Sequence, residues 1–63
     1  MSAEVWLQHL RQHGYRLTPA RRAVVQTMAA TPRAITPLEV YDSARGRHRA
    51  LGLVSVYRTL EKL

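Results

Sequence analysis

The chain has 63 residues, enough for one small domain, and a chain of this size buries only about 60% of its unfolded surface. Ten Lys and Arg residues against four Asp and Glu residues give a formal net charge of +6, and nine of the ten cations are arginines. This balance favours a polyanionic partner, because arginine pairs well with phosphates and base edges, although an ordinary basic surface explains the charge about equally well.

The absence of cysteine excludes a disulfide framework, a cysteine-ligated zinc and a thiol nucleophile from these residues. It also fits a cytoplasmic location. No apolar run approaches the ~20 residues that a membrane span needs, so we expect no membrane segment here.

The first predicted helix runs from a cap at Ser2 to His13, and Gly14 then supplies the left-handed residue that ends helices. Its apolar face consists of Ala3, Trp6, Leu7 and Leu10. His9 and His13 lie four residues apart, which is a metal-chelating spacing on a helix. A closed zinc site needs four ligands, however, so we assign these histidines to the surface and predict no metal ligands in residues 1–63.

The second predicted helix begins with Thr18 as its cap and Pro19 in its first position. Its inner face consists of Ala20, Ala23, Val24, Thr27 and Met28. Arg21 and Arg22 lie in the first turn, where their charge opposes the helix dipole. Cations are expected there when an anion binds to the same end, so we predict that at least one of them contacts phosphate. An ion pair with Glu4 or Asp42 is the alternative.

The third predicted helix opens on a capping box, in which Thr36 and Glu39 each satisfy a backbone N–H of the other residue. Val40, Tyr41 and Ala44 face inward. The segment from Arg45 to Arg49 is the most basic part of the chain. It suits a solvated helix end slightly better than a phosphate contact, so Arg47 and Arg49 remain open candidates.

The fourth predicted helix, at about residues 53–63, follows Gly52 and has two unlike faces. An apolar stripe is formed by Leu53, Val56, Leu60 and Leu63. The side facing away from it carries Ser55, Arg58, Thr59 and Lys62, with Tyr57 and Glu61 beside the stripe. This set suits a DNA major groove, because a guanidinium pairs bidentately with guanine and a tyrosine ring can contact a thymine methyl group. Residues 36–63 therefore form a helix-turn-helix with a long link.

Two segments together resemble the ferric uptake regulator family of bacterial metal-responsive repressors. They are GYRLTPARRAVVQTM and ITPLEVYDSARGRHRALGLVSVYRTLEKL, and they cover nearly all of the chain in the family's order. The resemblance implies an all-α part of a winged-helix DNA-binding domain. It implies that Ser55, Tyr57 and Arg58 read bases in the major groove and that Arg16 enters the minor groove. Arg21, Arg22, Thr59 and Lys62 are the predicted phosphate contacts.

The family resemblance also predicts features beyond residue 63. We expect residues 1–63 to be an N-terminal fragment, followed by the wing hairpin and a metal-binding dimerisation domain. Zinc, iron or another divalent metal would bind in that domain, and a homodimer would recognise a pseudo-palindromic operator on double-stranded DNA. Iron- and peroxide-sensing members often carry a histidine ligand before the third helix, where this chain has Ala34. That difference weakens the case for iron sensing and leaves zinc sensing as the more open possibility.

Other functions fit the sequence less well. A helical protein-interaction module whose basic face binds an acidic partner is the main alternative to DNA binding, and a cationic membrane-surface peptide is a third reading. We predict that the protein is not an enzyme, because the sequence offers no paired carboxylates, no glycine-rich phosphate loop and no catalytic triad.

Overall fold

The computed structural model describes residues 2–63, and these residues form four α-helices with no strand among them. The helices are α1 (Ala3–Gln12), α2 (Pro19–Ala30), α3 (Pro37–Ala44) and α4 (Leu53–Lys62). Their order and number agree with the sequence, so the all-α prediction is confirmed for this part of the chain. The bounds differ from those predicted by a residue or so at each end.

Hydroxyl side chains cap the first three helices. The Ser2 hydroxyl accepts a hydrogen bond from the Val5 N–H at 3.3 Å, and Thr18 accepts one from the Arg21 N–H at 3.2 Å. In α3 the capping box is complete, because the Thr36 N–H also donates to the Glu39 carboxylate at 2.9 Å. These bonds satisfy N–H groups that have no partner inside a helix, and they fix where each helix begins.

The end of α1 is a Schellman motif centred on Gly14, whose φ of +82° is open to glycine at no steric cost. The Gly14 N–H donates to the Arg11 carbonyl and the Tyr15 N–H donates to the Leu10 carbonyl, both at 3.0 Å. The two bonds reverse the chain direction and fix the backbone of Tyr15 at the start of the connector to α2.

The four helices are organised around α2, which packs against each of the other three, while α3 and α4 also pack against each other. One buried apolar cluster joins α2, α3 and α4; it consists of Ala23, Val24, Val40, Ala44, Leu51 and Val56. Leu10 and Val25 are also fully buried. Val24, Val40 and Ala44 were predicted to face inward, whereas Val25 and Leu51 were not, and Leu51 comes from the link before α4.

The inner face of α4 is rotated relative to the predicted apolar stripe. Val56 is fully buried and Leu60 half-buried, as predicted, but Leu53 and Leu63 are 38% and 39% exposed. Thr59, predicted on the outer side, is instead 1% exposed. Its hydroxyl donates to the Ser55 carbonyl at 2.8 Å, so the group is satisfied within its own helix and can be buried without another partner.

Candidate nucleic-acid interface

A cleft of about 410 Å³ lies where the α1–α2 connector, the start of α2 and one side of α4 meet. It is lined by Gly14, Tyr15, Arg16, Thr18, Ala20, Arg21, Ser55 and Arg58. Four of these, Arg16, Arg21, Ser55 and Arg58, were predicted to contact DNA, and they come from three separate segments of the sequence. The fold therefore places three arginines around one concave surface.

The outer face of α4 carries the remaining predicted base-reading side chain. Tyr57 is 50% exposed, Arg58 is exposed, and Ser55 is half-buried at the edge of the cleft. Val54 is 63% exposed and lies three and four residues before Tyr57 and Arg58, which puts it on the same face. Val54 was not among the predicted site residues. The sequence did indicate its exposure, since at helical spacing Val54 lies opposite Val56, which was predicted to face inward.

Arg16 and Arg21 are linked directly. The Arg21 guanidinium donates through Nη1 to the Arg16 backbone carbonyl at 2.8 Å, so it fixes the connector against the first turn of α2. The Arg16 side chain is exposed, as predicted for a residue outside the helices. Arg21 is half-buried, and the bond to Arg16 occupies one of the five N–H donors of its guanidinium.

Two cations from different helices approach the ring of Tyr15. The Arg21 guanidinium carbon is 5.7 Å from the centroid of its ring, and the Lys62 ammonium nitrogen is 5.2 Å from the same centroid. The Lys62 ammonium also donates to the Arg58 carbonyl at 3.4 Å. Tyr15 was not predicted as a site residue, because an aromatic residue outside a helix contributes to no periodic pattern.

Two residues predicted to contact phosphate lie elsewhere. Arg22 is exposed but lines a separate cleft beside α1, with Glu4, Leu7, Gln8 and Arg11. Thr59 is buried with its hydroxyl bonded to the Ser55 carbonyl, so the prediction that it faces outward towards phosphate is wrong in this structure. Burial of the Val56 side of α4 carries Thr59 inward as well, since the two residues are three apart on one helix.

The cleft and its surroundings are strongly positive. Within residues 2–63 the one ion pair shorter than 4.0 Å joins Arg33 to Glu39 at 3.3 Å, and neither Arg21 nor Arg22 pairs with Glu4 or Asp42. The cations around the cleft are therefore free of carboxylate partners in the described chain and available to an external anion.

The Thr36 backbone N–H and the Arg33 guanidinium hold the pKa of the Glu39 carboxyl below its ordinary value of 4.5.

The basic segment after α3 forms a separate positive surface. Arg45, Arg47 and Arg49 are exposed, and the Arg45 guanidinium lies 5.2 Å from the centre of the Tyr41 ring. None of the three lines the cleft beside α4. The phosphate contact considered for Arg47 and Arg49 stays an alternative to a solvated helix end.

His9 in α1 and His13, which directly follows the helix, lie side by side. Their ring centroids are 4.3 Å apart, and Nδ1 of His13 is 2.9 Å from the His9 carbonyl oxygen. No group of three or more potential ligands among Ser2–Leu63 is arranged to hold a metal ion. None of the helices in the described part of the chain is long and apolar enough to cross a membrane.

Comparison with known proteins gives one match. The model of the ferric uptake regulator family matches residues 12–63, which include the connector, α2, α3 and α4. Searches of curated proteins and of solved structures found no significant match. Members of the matched family are metal-responsive transcription regulators rather than enzymes; they bind DNA, generally bind metal ions and are typically dimeric. Because the match covers most of the sequence, the chain belongs to the ferric uptake regulator family.

Proposed function

We propose that this protein is a sequence-specific DNA-binding repressor that inserts the outer face of α4 into the major groove. The observation that carries the proposal is the cleft, which brings Arg16, Ser55 and Arg58 together beside the exposed ring of Tyr57. A helix at the edge of a positive concave surface suits a duplex, since the phosphates position the protein while the helix contacts base edges.

Base reading would rest on four side chains of α4. The Arg58 guanidinium is exposed and can donate two parallel hydrogen bonds to N7 and O6 of guanine. The Tyr57 ring and the Val54 methyl groups are exposed on the same face and suit contact with thymine methyl groups. The Ser55 hydroxyl, at the edge of the cleft, is a small group that either donates to or accepts from a base.

Arg16 would enter the minor groove next to the major-groove site. It belongs to the connector and lines the same cleft as Ser55 and Arg58 of α4, and its side chain makes no hydrogen bond within residues 2–63. Phosphates would be met by Arg21, which retains four N–H donors, and by Lys62. Arg22 faces a different cleft, so of the two first-turn arginines Arg21 is the better placed.

The regulatory part of the proposal rests on family membership. We infer that a bound divalent metal, zinc or iron being the leading candidates, controls binding of a homodimer to a pseudo-palindromic operator in the cytoplasm. The metal-binding dimerisation domain and the wing predicted beyond residue 63 remain predictions. The residues described above would then supply the DNA-reading half of a metal-dependent switch.

The Arg58→Ala substitution tests the central claim. A preferred duplex is selected from a random library with the protein loaded with each metal in turn, and affinities for it and for a scrambled duplex are measured by fluorescence anisotropy at one salt concentration. Loss of a bidentate arginine–guanine pair should cost about 1–3 kcal/mol on the preferred duplex and relax the preference at one base pair.

Arg47→Ala is the matched control, because it removes the same charge from an exposed position outside the cleft. It should weaken the two duplexes by similar factors. If Arg58→Ala also weakened both duplexes equally, Arg58 would be a phosphate contact and α4 would not be reading sequence through it.

A further inference from the structure

We propose that Tyr15 is a positioning residue that sets the spacing between the two DNA-reading arginines, Arg16 on the connector and Arg58 on α4. This inference rests on the proposed function, since it concerns how the minor-groove and major-groove contacts are held in register. Tyr15 itself need not touch DNA for the effect. It acts through two neighbouring cations that each bond to the backbone of one reading residue.

The ring of Tyr15 connects elements that are far apart in sequence. Its centroid lies 5.7 Å from the Arg21 guanidinium at the start of α2 and 5.2 Å from the Lys62 ammonium at the end of α4. Both distances are within the range of about 6 Å at which a cation is attracted to an aromatic ring. Tyr15 as a whole is 37% exposed, so water screens these attractions only in part.

The Arg21 cation holds the backbone of Arg16, and α4 itself fixes Lys62 one helical turn after Arg58. The Arg21 guanidinium donates to the Arg16 carbonyl at 2.8 Å, and the Lys62 ammonium donates to the Arg58 carbonyl at 3.4 Å. The contacts therefore run without a gap from Arg16 through Arg21, Tyr15 and Lys62 to Arg58. Tyr15 is the only member of this series that carries no charge.

The backbone of Tyr15 is fixed independently of its side chain. Its N–H donates to the Leu10 carbonyl at 3.0 Å in the Schellman motif that follows the positive φ of Gly14. Removing the ring should consequently leave the course of the connector unchanged while it uncouples the connector from the end of α4. Both arginines would remain, but their separation would vary, and a duplex would have to fix it on binding.

The first measurement needs no DNA. In the wild-type protein the side-chain methylene protons of Lys62 should show upfield ring-current shifts in the NMR spectrum. The shifts should persist in Tyr15→Phe, which keeps the ring, and disappear in Tyr15→Leu, which keeps an apolar side chain of similar size. Lys62 shifts at random-coil values in the wild-type protein would overturn the proposal.

The second measurement uses the preferred and scrambled duplexes. Tyr15→Leu should weaken the preferred duplex roughly three- to tenfold, should leave the slope of log affinity against log salt unchanged, and should barely affect the scrambled duplex. Tyr15→Phe should match the wild type. In a double-mutant cycle, Arg16→Ala should cost less affinity in the Tyr15→Leu background than in the wild-type background.

Additive effects of Tyr15→Leu and Arg16→Ala, in a protein that does prefer one sequence, would refute the coupling and leave the proposed function standing. A Tyr15→Phe protein as weak as Tyr15→Leu would show that the hydroxyl group matters, as in a direct DNA contact, and would also refute it. A wild-type protein without any sequence preference would refute the proposed function and the coupling together.

Discussion

The substitution Val56→Ala tests which side of α4 faces the core, and hence whether Tyr57 and Arg58 face solvent. Val56 is 0% exposed and belongs to the cluster that joins α2, α3 and α4. Val54, two residues earlier in the same helix, is 63% exposed. The same substitution at the two positions removes the same atoms and changes helix propensity by the same amount, so the difference between the variants reports burial alone.

The expected cost follows from the atoms removed. Replacing a buried valine by alanine deletes two methyl-sized groups, each of which contributes about 0.8 kcal/mol when buried. The residual cavity adds to this, which brings the loss at Val56 to about 2–3 kcal/mol. A domain of this length has a total stability of roughly 3–9 kcal/mol, so Val56→Ala should remove a large share of it. Val54→Ala should stay within about 0.5 kcal/mol of the wild type.

Thermal unfolding followed by circular dichroism at 222 nm is the assay. At about 4–8 °C per kcal/mol for a domain of this size, Val56→Ala should lower Tm by roughly 10–20 °C, and Val54→Ala should shift it by only a few degrees. Binding of the preferred duplex at low temperature, where both variants are folded, should rank them in the opposite order, because Val54 lies on the reading face. Equal Tm values for the two variants would contradict the described orientation of α4.

Other predictions concern the helix ends and the positive surface. Arg21→Ala should lower the salt slope of DNA binding by about one unit, whereas Arg22→Ala, in the other cleft, should leave it unchanged; equal slopes for the two variants would remove the distinction between them. Gly14→Ala should destabilise the fold by about 1 kcal/mol in urea titrations, since a Cβ there meets no atom within 4 Å but the φ is +82°. Gly52→Ser should instead raise stability by about 0.5 kcal/mol, because it adds a hydroxyl cap to α4 at a residue whose φ is −101°. No atom lies within 4 Å of a Cβ at this position, so a loss of stability would contradict the open space described there. Because the folded-state pKa of Glu39 lies below 4.5, its carboxylate should stabilise the fold fully above pH 4.5, and this stabilisation should be lost as pH falls through the folded-state pKa. The Glu39→Gln variant keeps a capping side chain but should lack this part of the acid dependence. Identical stability profiles against pH for the wild type and Glu39→Gln would argue against this contribution of the carboxylate.

The helix ends were the most predictable part of the fold. Ser2, Thr18 and Thr36 cap helices because their hydroxyls bond to N–H groups three residues ahead, which is a local property that sequence displays directly. Gly14 was predictable for the same reason. These signals depend on neighbours along the chain and need no knowledge of how the helices pack.

The face of α4 was harder to predict, because burial depends on the neighbouring helices. The spacing of the four apolar residues pointed to a stripe from Leu53 to Leu63, but these two residues, at the ends of the stripe, remain exposed. Thr59 lies on the inner side with Val56, three residues earlier, and its hydroxyl is satisfied there by the Ser55 carbonyl. A polar residue that satisfies itself in this way cannot be told from an exposed one by composition alone.

The residues of the candidate site also differ in how well the sequence predicted them. Resemblance to the family predicted Tyr57 and Arg58 on α4 and Arg16 on the connector, and the structure leaves all three side chains exposed. Tyr15 could not be predicted, since its role depends on the approach of Lys62 from the far end of the chain to a ring in the first connector. Contacts of that kind become visible only after the helices are packed.

The packing of the helices implies that some parts of this protein unfold locally more easily than others. α2, α3 and α4 each contact the other two, whereas α1 packs chiefly against α2 alone. Amide hydrogen exchange should therefore be graded, with α1 exchanging through small local openings and the middle of α2 exchanging most slowly. Transient loss of α1 would release the Leu10 carbonyl that anchors the Tyr15 backbone, so motion in a helix that contributes no residue to the cleft would reach the cleft through the connector.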